Sequence, residues 1–350
     1  MNLAMHSFWR TLALPTQLSF EEVGIVGPFS DPASDCLFTP LQHQQVIRVE
    51  GKDAFSFLQG QLSCDLRDIG TEMTRLGAHC NIKGHMLSLF RVIQPEESVF
   101  WLRGSQDLSE KALAQLKKYI IFSKATAEIA SDLVGLGVQG KATTARLSQL
   151  AGLPAESLPT QPGQSLQLEQ ISFVCVGKQR YELWAEAAAL KPLLTKLQAT
   201  AAVMPLQQWL LSDIQAGIPD LRQETSEAFI PQMTNLQEFE GISFRKGCYT
   251  GQEIITRLQH RGQLKRPMYR ARVQSKTLPL PGTPLHCDDK DGIGQVVLAA
   301  ETGRAGEFEL LAVILKARAE TDTVLLPDQS PLQLLELPYS LDARLFESKR

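Results

Sequence analysis

The sequence predicts an α+β protein with a small β-rich domain at its C-terminal end, and three observations predict it. Apolar residues at helical spacing recur through the first two thirds of the chain, as in residues 109–121, where Leu113, Leu116 and Ile120 share one stripe. Apolar runs of strand length lie between these helical stretches, as in residues 87–93. Beyond Leu278 the helical spacing stops: Pro279, Pro281 and Gly282 mark a boundary, and strand alternates with turn to the end.

Taken in order, residues 1–40 have no clear periodicity and read as an extension with a few local elements. Residues 45–49 read as a strand and 52–62 as a helix, with Phe55, Leu58 and Leu62 on one face at i, i+3 and i+7. The strand at 87–93 and the helix at 109–121 follow. Residues 131–139 read as a strand and 143–151 as a helix. Pro154, Pro159 and Pro162 make 151–164 a loop. Residues 171–176 and 181–185 form an antiparallel pair around Gly177, and 190–200 is helical. In the C-terminal part a turn at 288–292 separates strands at 294–300, 309–317 and 322–326.

At 350 residues the chain can hold two or three domains and a sizeable core. Its 43% hydrophobic and 21% charged content is that of an ordinary soluble globular protein. Apolar stretches such as 310–315 are far too short to span a bilayer, so no membrane partner is expected. Near the N-terminus His6 and Arg10 interrupt Phe8, Trp9 and Leu12, and no small-residue cleavage site follows, which argues against a signal peptide. The cysteines, at 36, 64, 80, 175, 248 and 287, include no C-x-x-C pair. Scattered thiols fit a reducing compartment: the cytoplasm, or an organelle matrix in a eukaryote. No metal site is expected.

Net charge is −3, but residues 245–270 carry seven Lys or Arg against one acid, Glu253. That segment is therefore +6 and the remainder −9. A local basic lip on an acidic body suits a small anion; it is too small for tight RNA binding, so direct contact with RNA is not expected.

The densest motif is Arg245-Lys246-Gly247-Cys248-Tyr249-Thr250-Gly251-Gln252-Glu253. Thr250 and Glu253 have the spacing of a capping box, with Thr250 as N-cap, and Ile254, Ile255 and Leu258 continue at helical spacing. A helix N-terminus beside Arg245 and Lys246 should favour the Cys248 thiolate. Gly247 and Gly251 allow tight turns and close approach of a ligand. The motif reads as built to present a sulfur, although a small buried hydrophobe is what most free cysteines are. By contrast, the G-x-G-x-x-G at residues 135–140 lacks a βαβ companion and reads as a tight strand-to-helix turn, not a dinucleotide site. His79 and Cys80 are adjacent, so in a strand they face opposite sides. His85 and His260 are lone histidines.

The segment Lys246 to Glu253 resembles the signature of the YgfZ family, folate-binding proteins implicated in iron–sulfur protein maintenance and tRNA modification and related to the glycine cleavage T-protein. The resemblance extends from about residue 40 to 341. It includes Phe57-Leu58-Gln59-Gly60-Gln61 with Asp65, then Lys83-Gly84 and Leu116-Lys117-Lys118-Tyr119 with Phe122-Ser123-Lys124. Later segments are Ala216-Gly217-Ile218-Pro219, Phe229-Ile230-Pro231-Gln232, Asn235-Leu236-Gln237 and Leu337-Pro338-Tyr339-Ser340. It implies a three-domain T-protein-like cloverleaf around a central folate site. A split folate-binding domain would cover 1–108 plus 201–265, a ferredoxin-like insertion 109–200 and a C-terminal β-barrel 266–350.

The resemblance further implies that a reduced folate, tetrahydrofolate or a derivative, is the cofactor, with a transient iron–sulfur cluster as a second candidate. Implied partners are iron–sulfur enzymes or their assembly proteins, with tRNA modification affected indirectly. Cys248 would be the reactive thiol, with Lys246 beside it. Trp209, Gln215, Arg245, Tyr249, Gln252, Glu253, Arg257 and Arg261 would bind the folate, Trp209 by stacking and the basic lip, with Lys265 and Arg266, by meeting its glutamate tail. Some relatives carry an acid where Gln215 stands and an aromatic where Gln44 stands. The aminomethyltransferases carry paired acids where Leu87 and Ser88 stand, so that activity is not expected. Two alternatives stay open: a folate-dependent one-carbon transferase or demethylase using Cys248, and a non-catalytic protein–protein scaffold.

Overall fold

A computed structural model describes residues 6–31 and 33–347; the expectations for residues 1–5 lie outside these. The chain divides into two compact units. One comprises Met1–Phe55, Arg67–Arg75 and Arg91–Trp209, the other Ser56–Leu66, Leu76–Phe90 and Leu210–Arg350.

The first unit is organised by a six-stranded sheet. Its spatial order is Ser165–Leu168, Ile171–Gly177, Arg180–Glu186, Leu133–Gln139, Leu37–Pro40 and Ala202–Val203. The pairings are antiparallel except the last, between Ala202–Val203 and Leu37–Pro40. Helices Thr143–Ala151 and Ala187–Gln198 pack on it, and Phe38, Leu136, Val138, Phe173, Leu183, Leu190 and Leu197 form its core. The predicted extension thus contributes an interior strand. Leu37–Pro40 is buried at all four positions, so it shows neither alternation nor helical spacing and is invisible to a periodicity argument. Elsewhere in this unit Gln44–Glu50 pairs with Val99–Ser105 and Thr126–Ile129, under helix Ser109–Ile120.

In the predicted G-x-G-x-x-G turn, Gly135 and Gly137 lie inside strand Leu133–Gln139. A Cβ on Gly135 would stand 2.4 Å from the Trp184 ring, and one on Gly137 2.8 Å from the Trp209 ring. Only Gly140, at φ 142°, sits at the turn. Two of the three glycines are therefore seats for indoles.

The second unit holds most of strand Arg75–Cys80 and the first residues of its sheet neighbour Met86–Glu96, joined by a turn in which Asn81 N–H donates to the His85 carbonyl at 2.9 Å. The helix predicted over 52–62 shortens to Ala54–Gln59: Leu62 leaves it to bridge His79. Leu58 and Leu62 are buried, but Phe55 is 41% exposed and does not share their face in the core. The C-terminal part is a five-stranded antiparallel sheet ordered Pro284–Cys287, Lys290–Glu301, Glu307–Ile314, Met268–Gln274 and Gln333–Leu335. It is not the closed barrel expected. The strand predicted over 322–326 is reduced to bridges from Leu325 to His286 and Pro331. The strand predicted over 309–317 stops at Ile314, and Lys316–Ala319 forms a helical turn. Among the described residues no helix is long and apolar enough to cross a membrane.

Candidate functional site

The Cys248 segment lies in the second unit and is held from both sides. Ser243 N–H donates to the Ser63 carbonyl at 2.8 Å. The Ser243 hydroxyl then accepts from the backbone N–H groups of Arg245 and Lys246, both at 3.3 Å. Lys246 is buried: its ammonium donates to the carbonyls of Leu62 at 2.8 Å and Cys64 at 2.7 Å, and stands 5.0 Å from the centre of the Tyr249 ring. Thr250 N–H donates to the Gly60 carbonyl at 3.2 Å. Between these anchors Gly247 and Cys248 are exposed. The other five cysteines are buried. Burial pushes the Cys36 thiol up to about 11 and raises those of Cys80 and Cys175. The sulfur at 248 is thus set apart by exposure, as the sequence reading expects.

The predicted capping box does not form. Helix Gln252–Arg261 has Gly251 as N-cap, in the left-handed region at φ 84°, with no side-chain cap. A Cβ on Gly251 would stand 2.6 Å from the Asn81 carbonyl oxygen and 3.0 Å from the Gly84 Cα. This close backbone packing fixes the helix entry, and Thr250 is taken up by its bond to Gly60. Glu253 still lies in the first turn, exposed, where a carboxylate suits the dipole.

The basic lip is smaller than the sequence implies. Lys246 faces inward onto carbonyls, and Arg270 donates twice to the buried Glu309, at 3.0 and 2.6 Å. Arg266 reaches the Gly292 carbonyl at 3.3 Å. Arg245, Arg257 and Lys265 are exposed; the Arg261 side chain lies outside the described ones. Gln252 is half-buried and Gln215 is exposed at the end of helix Leu206–Gln215. Tyr249 is buried and its hydroxyl has no partner; burial first, then Cys80 and Cys64, pushes its ionisation well up.

Trp209 belongs to the first unit and is fully buried. The Arg180 guanidinium stands 4.3 Å from the centre of its ring and donates to its backbone carbonyl at 3.4 Å, while Arg180 Nε donates to Gln139 at 3.2 Å. A ligand ring could stack on this indole face only by displacing Arg180. Arg180 escaped the sequence reading: no local pattern connects it to Trp209, 29 positions away. Ser88 is buried in its strand with an unpartnered hydroxyl, beside Leu87. Among the described residues one group has metal-ligand spacing, Cys287, Asp289 and Asp322, and the Arg318 guanidinium already pairs with both carboxylates. Cys248 is not part of it.

Three segments quoted for the resemblance meet within the second unit. The Tyr339 hydroxyl donates to the Gly217 carbonyl at 2.9 Å and lies 3.5 Å from the Asn235 amide, which donates to the Met268 carbonyl at 2.9 Å. Burial pushes the Tyr339 hydroxyl up to about 12. These motifs therefore carry packing, tying 217 and 235 to the C-terminal sheet.

No family model matches the chain. The crystal structure of glycine cleavage system aminomethyltransferase T from Bartonella henselae shares its fold, with a TM-score of 0.69 over 91% of this chain and 88% of that one, at 16% identity. The tRNA-modifying protein YgfZ of Yersinia enterocolitica is 34% identical over 302 residues, 85% of this chain and 90% of that protein. The tRNA-modifying protein YgfZ of Klebsiella pneumoniae is 35% identical over 299 residues, 84% of this chain and 90% of that protein. At that identity over nearly the whole length, the chain belongs to the YgfZ family.

Proposed function

We propose that this protein binds a reduced folate, tetrahydrofolate or a derivative, and supports iron–sulfur enzymes, among them those that modify tRNA, with Cys248 as its reactive thiol. The observation that carries the reading is the loop 243–250. It is tied at Ser243, Lys246 and Thr250, and between the last two of these anchors the Gly247–Cys248 pair is left exposed. A buried lysine committed to two carbonyls makes sense where a sulfur must be held out at a fixed place. The naming of the relatives supports the link to tRNA. The net charge of −3 and the reduced basic lip favour an effect on tRNA through a partner enzyme. An iron–sulfur cluster would be cargo passed at Cys248, since a single thiol makes a poor resident site. The three-domain division and a cytoplasmic location belong to the same reading.

The fit to folate is partial. The exposed Arg245, Arg257 and Lys265 suit the carboxylates of a glutamate tail. Trp209 does not fit as a stacking platform with Arg180 on its face.

Anaerobic calorimetric titration with tetrahydrofolate tests the reading. Saturable binding, weakened several-fold in Arg257→Gln, is expected; no binding at millimolar folate would remove folate from the proposal. In cells lacking the native gene, Cys248→Ser should fail to restore tRNA methylthiolation. Full restoration would favour a scaffold that does not use the thiol.

A further inference from the structure

One segment quoted for the resemblance, Leu116 to Lys124, takes no part in the Cys248 loop or in the packing around Tyr339. Helix Ser109–Ile120 ends there in a tight turn in which Ser123 N–H donates to the Ile120 carbonyl at 2.8 Å, leaving Ile121 and Phe122 at its corners. Both project into water. Ile121 is 72% exposed, and Phe122, at 86%, is the most exposed large apolar side chain among the described residues. The return of the chain is fastened: Lys124 N–H donates to the Asp53 carboxylate at 2.8 Å, and Asp53 N–H donates to the Lys124 carbonyl at 3.3 Å. Two adjacent apolar side chains held out on a fastened turn make a contact surface that loses little entropy on docking. Lys117, Lys118 and Lys124 flank them in the chain, and Lys52 precedes Asp53; all four are exposed.

Beside this basic apolar tip lies its opposite. A cavity of about 420 Å³ is lined by the carboxylates of Glu50, Glu96, Glu169 and Glu186, with Pro95 and Val99, both half-buried, as apolar wall. Arg48 is the cation on its lining, and that guanidinium is taken by Glu128 at 3.2 Å and Asp132 at 2.6 Å. The four glutamates are exposed and enter no ion pair among the described residues. Gly51 connects the two features. Its N–H donates to the Ser98 carbonyl at 3.1 Å, in the turn between Glu96 and Val99, and a Cβ on it would stand 2.5 Å from the Lys124 carbonyl oxygen. Tip and cavity are therefore neighbours within the first unit, one on each side of residues 50–53.

We infer that this face binds a second copy of this chain about a two-fold axis, the Ile121–Phe122 tip of each copy seated in the acidic cavity of the other. A two-fold interface must be self-complementary, and each half here offers what the other lacks: apolar side chains among lysines, and a cavity among glutamates. The charges select the occupant. Four lysines balance four glutamates, so the face carries no net positive charge, and neither an anionic bilayer nor RNA meets the lysines without meeting the carboxylates. An aromatic anchor filling a cavity inside a polar rim is how protein interfaces concentrate their energy. The contact makes no use of Cys248 and is independent of the folate reading.

Sedimentation velocity of the full chain tests this. Wild type should pass from monomer to dimer as its concentration rises to about 100 μM, and added salt should weaken the dimer. Phe122→Ser should raise the dissociation constant at least tenfold. So should Lys117→Glu with Lys118→Glu, and separately Glu169→Lys with Glu186→Lys; all these side chains are exposed, so the variants should fold. The last arm mixes the two charge-reversed copies. Each alone sets like charge against like, but together tip and cavity match at both contacts, so the mixture should form a one-to-one dimer that neither copy forms alone. A wild type that stays monomeric overturns the inference, and loss of tRNA methylthiolation in cells carrying Phe122→Ser would then assign the tip to a partner protein. A dimer indifferent to these changes, a mixture that stays monomeric, or growth past the dimer also overturns it.

Discussion

At the scale of single residues the protein separates its thiols by access. Cys248 is exposed and five cysteines are buried, so brief iodoacetamide treatment of the native protein should add one carbamidomethyl group, at Cys248, with the rest labelled only after denaturation. Intact mass and peptide mapping read this directly, and early labelling at Cys36 or Cys80 would contradict the burial that raises their ionisation. Lys246 is the other decisive residue. Replacing it by Met keeps the stem but leaves the Leu62 and Cys64 carbonyls without their donor inside the protein. Unsatisfied buried acceptors cost about 1–3 kcal/mol each, so Lys246→Met should lose roughly 2–4 kcal/mol by denaturant titration. Lys246→Arg should be only partly tolerated, because a planar guanidinium cannot reproduce a point donor between two carbonyls. A neutral result for both variants would mean that the loop is held by Ser243 and Thr250 alone.

At the scale of elements, glycine determines how two helices and strands approach. Gly251→Ala would place a Cβ 2.6 Å from the Asn81 oxygen at φ 84°, which strains both sterics and backbone. A loss of about 1–3 kcal/mol is expected, with the entry of helix Gln252–Arg261 displaced and Cys248 labelling altered in rate; unchanged stability would show that the contact gives way freely. The same residue shows what the sequence could and could not reveal. The helix after Cys248 was legible because Ile254, Ile255 and Leu258 repeat at its period. Its start was not, since the Thr250–Glu253 spacing mimics a capping box while the true N-cap depends on Asn81 and Gly84, far away in sequence. Helix Thr143–Ala151 and the strand pair around Gly177 were legible because each carries its own periodicity. Strand Leu37–Pro40 was not, because it is four residues long and buried on both faces. The exposure of Cys248 followed from flanking glycines and charge, but the inward turn of Lys246 required carbonyls some 180 positions earlier.

At the scale of the whole molecule the two units respond differently to acid. In the first, burial raises the Glu182 carboxyl, but Arg103 at 2.8 Å, aided by Arg91, outweighs it and holds the group below its ordinary value. Stability from Glu182 is present above the unfolded carboxylate pKa and fades only as the pH falls through the lower folded value. In the second unit His79 is 1% exposed, its Nδ1 has no partner, and burial lowers its pKa from 6.5 to about 4. The unfolded chain therefore binds more protons than the folded one between those values. Stability from neutral His79 is complete above pH 6.5 and is lost progressively as the pH falls toward 4. Between pH 7 and 5 this one group removes about 2 kcal/mol, while the Glu182 pair is still ionised. Hydrogen exchange across that range should show the second unit opening first, in strand Arg75–Cys80 and the segments bonded to it. His79→Gln should flatten the dependence there and leave the first unit unchanged. Equal acid sensitivity of both units in the wild type, or an undiminished slope in His79→Gln, would assign the effect to the summed surface charge instead.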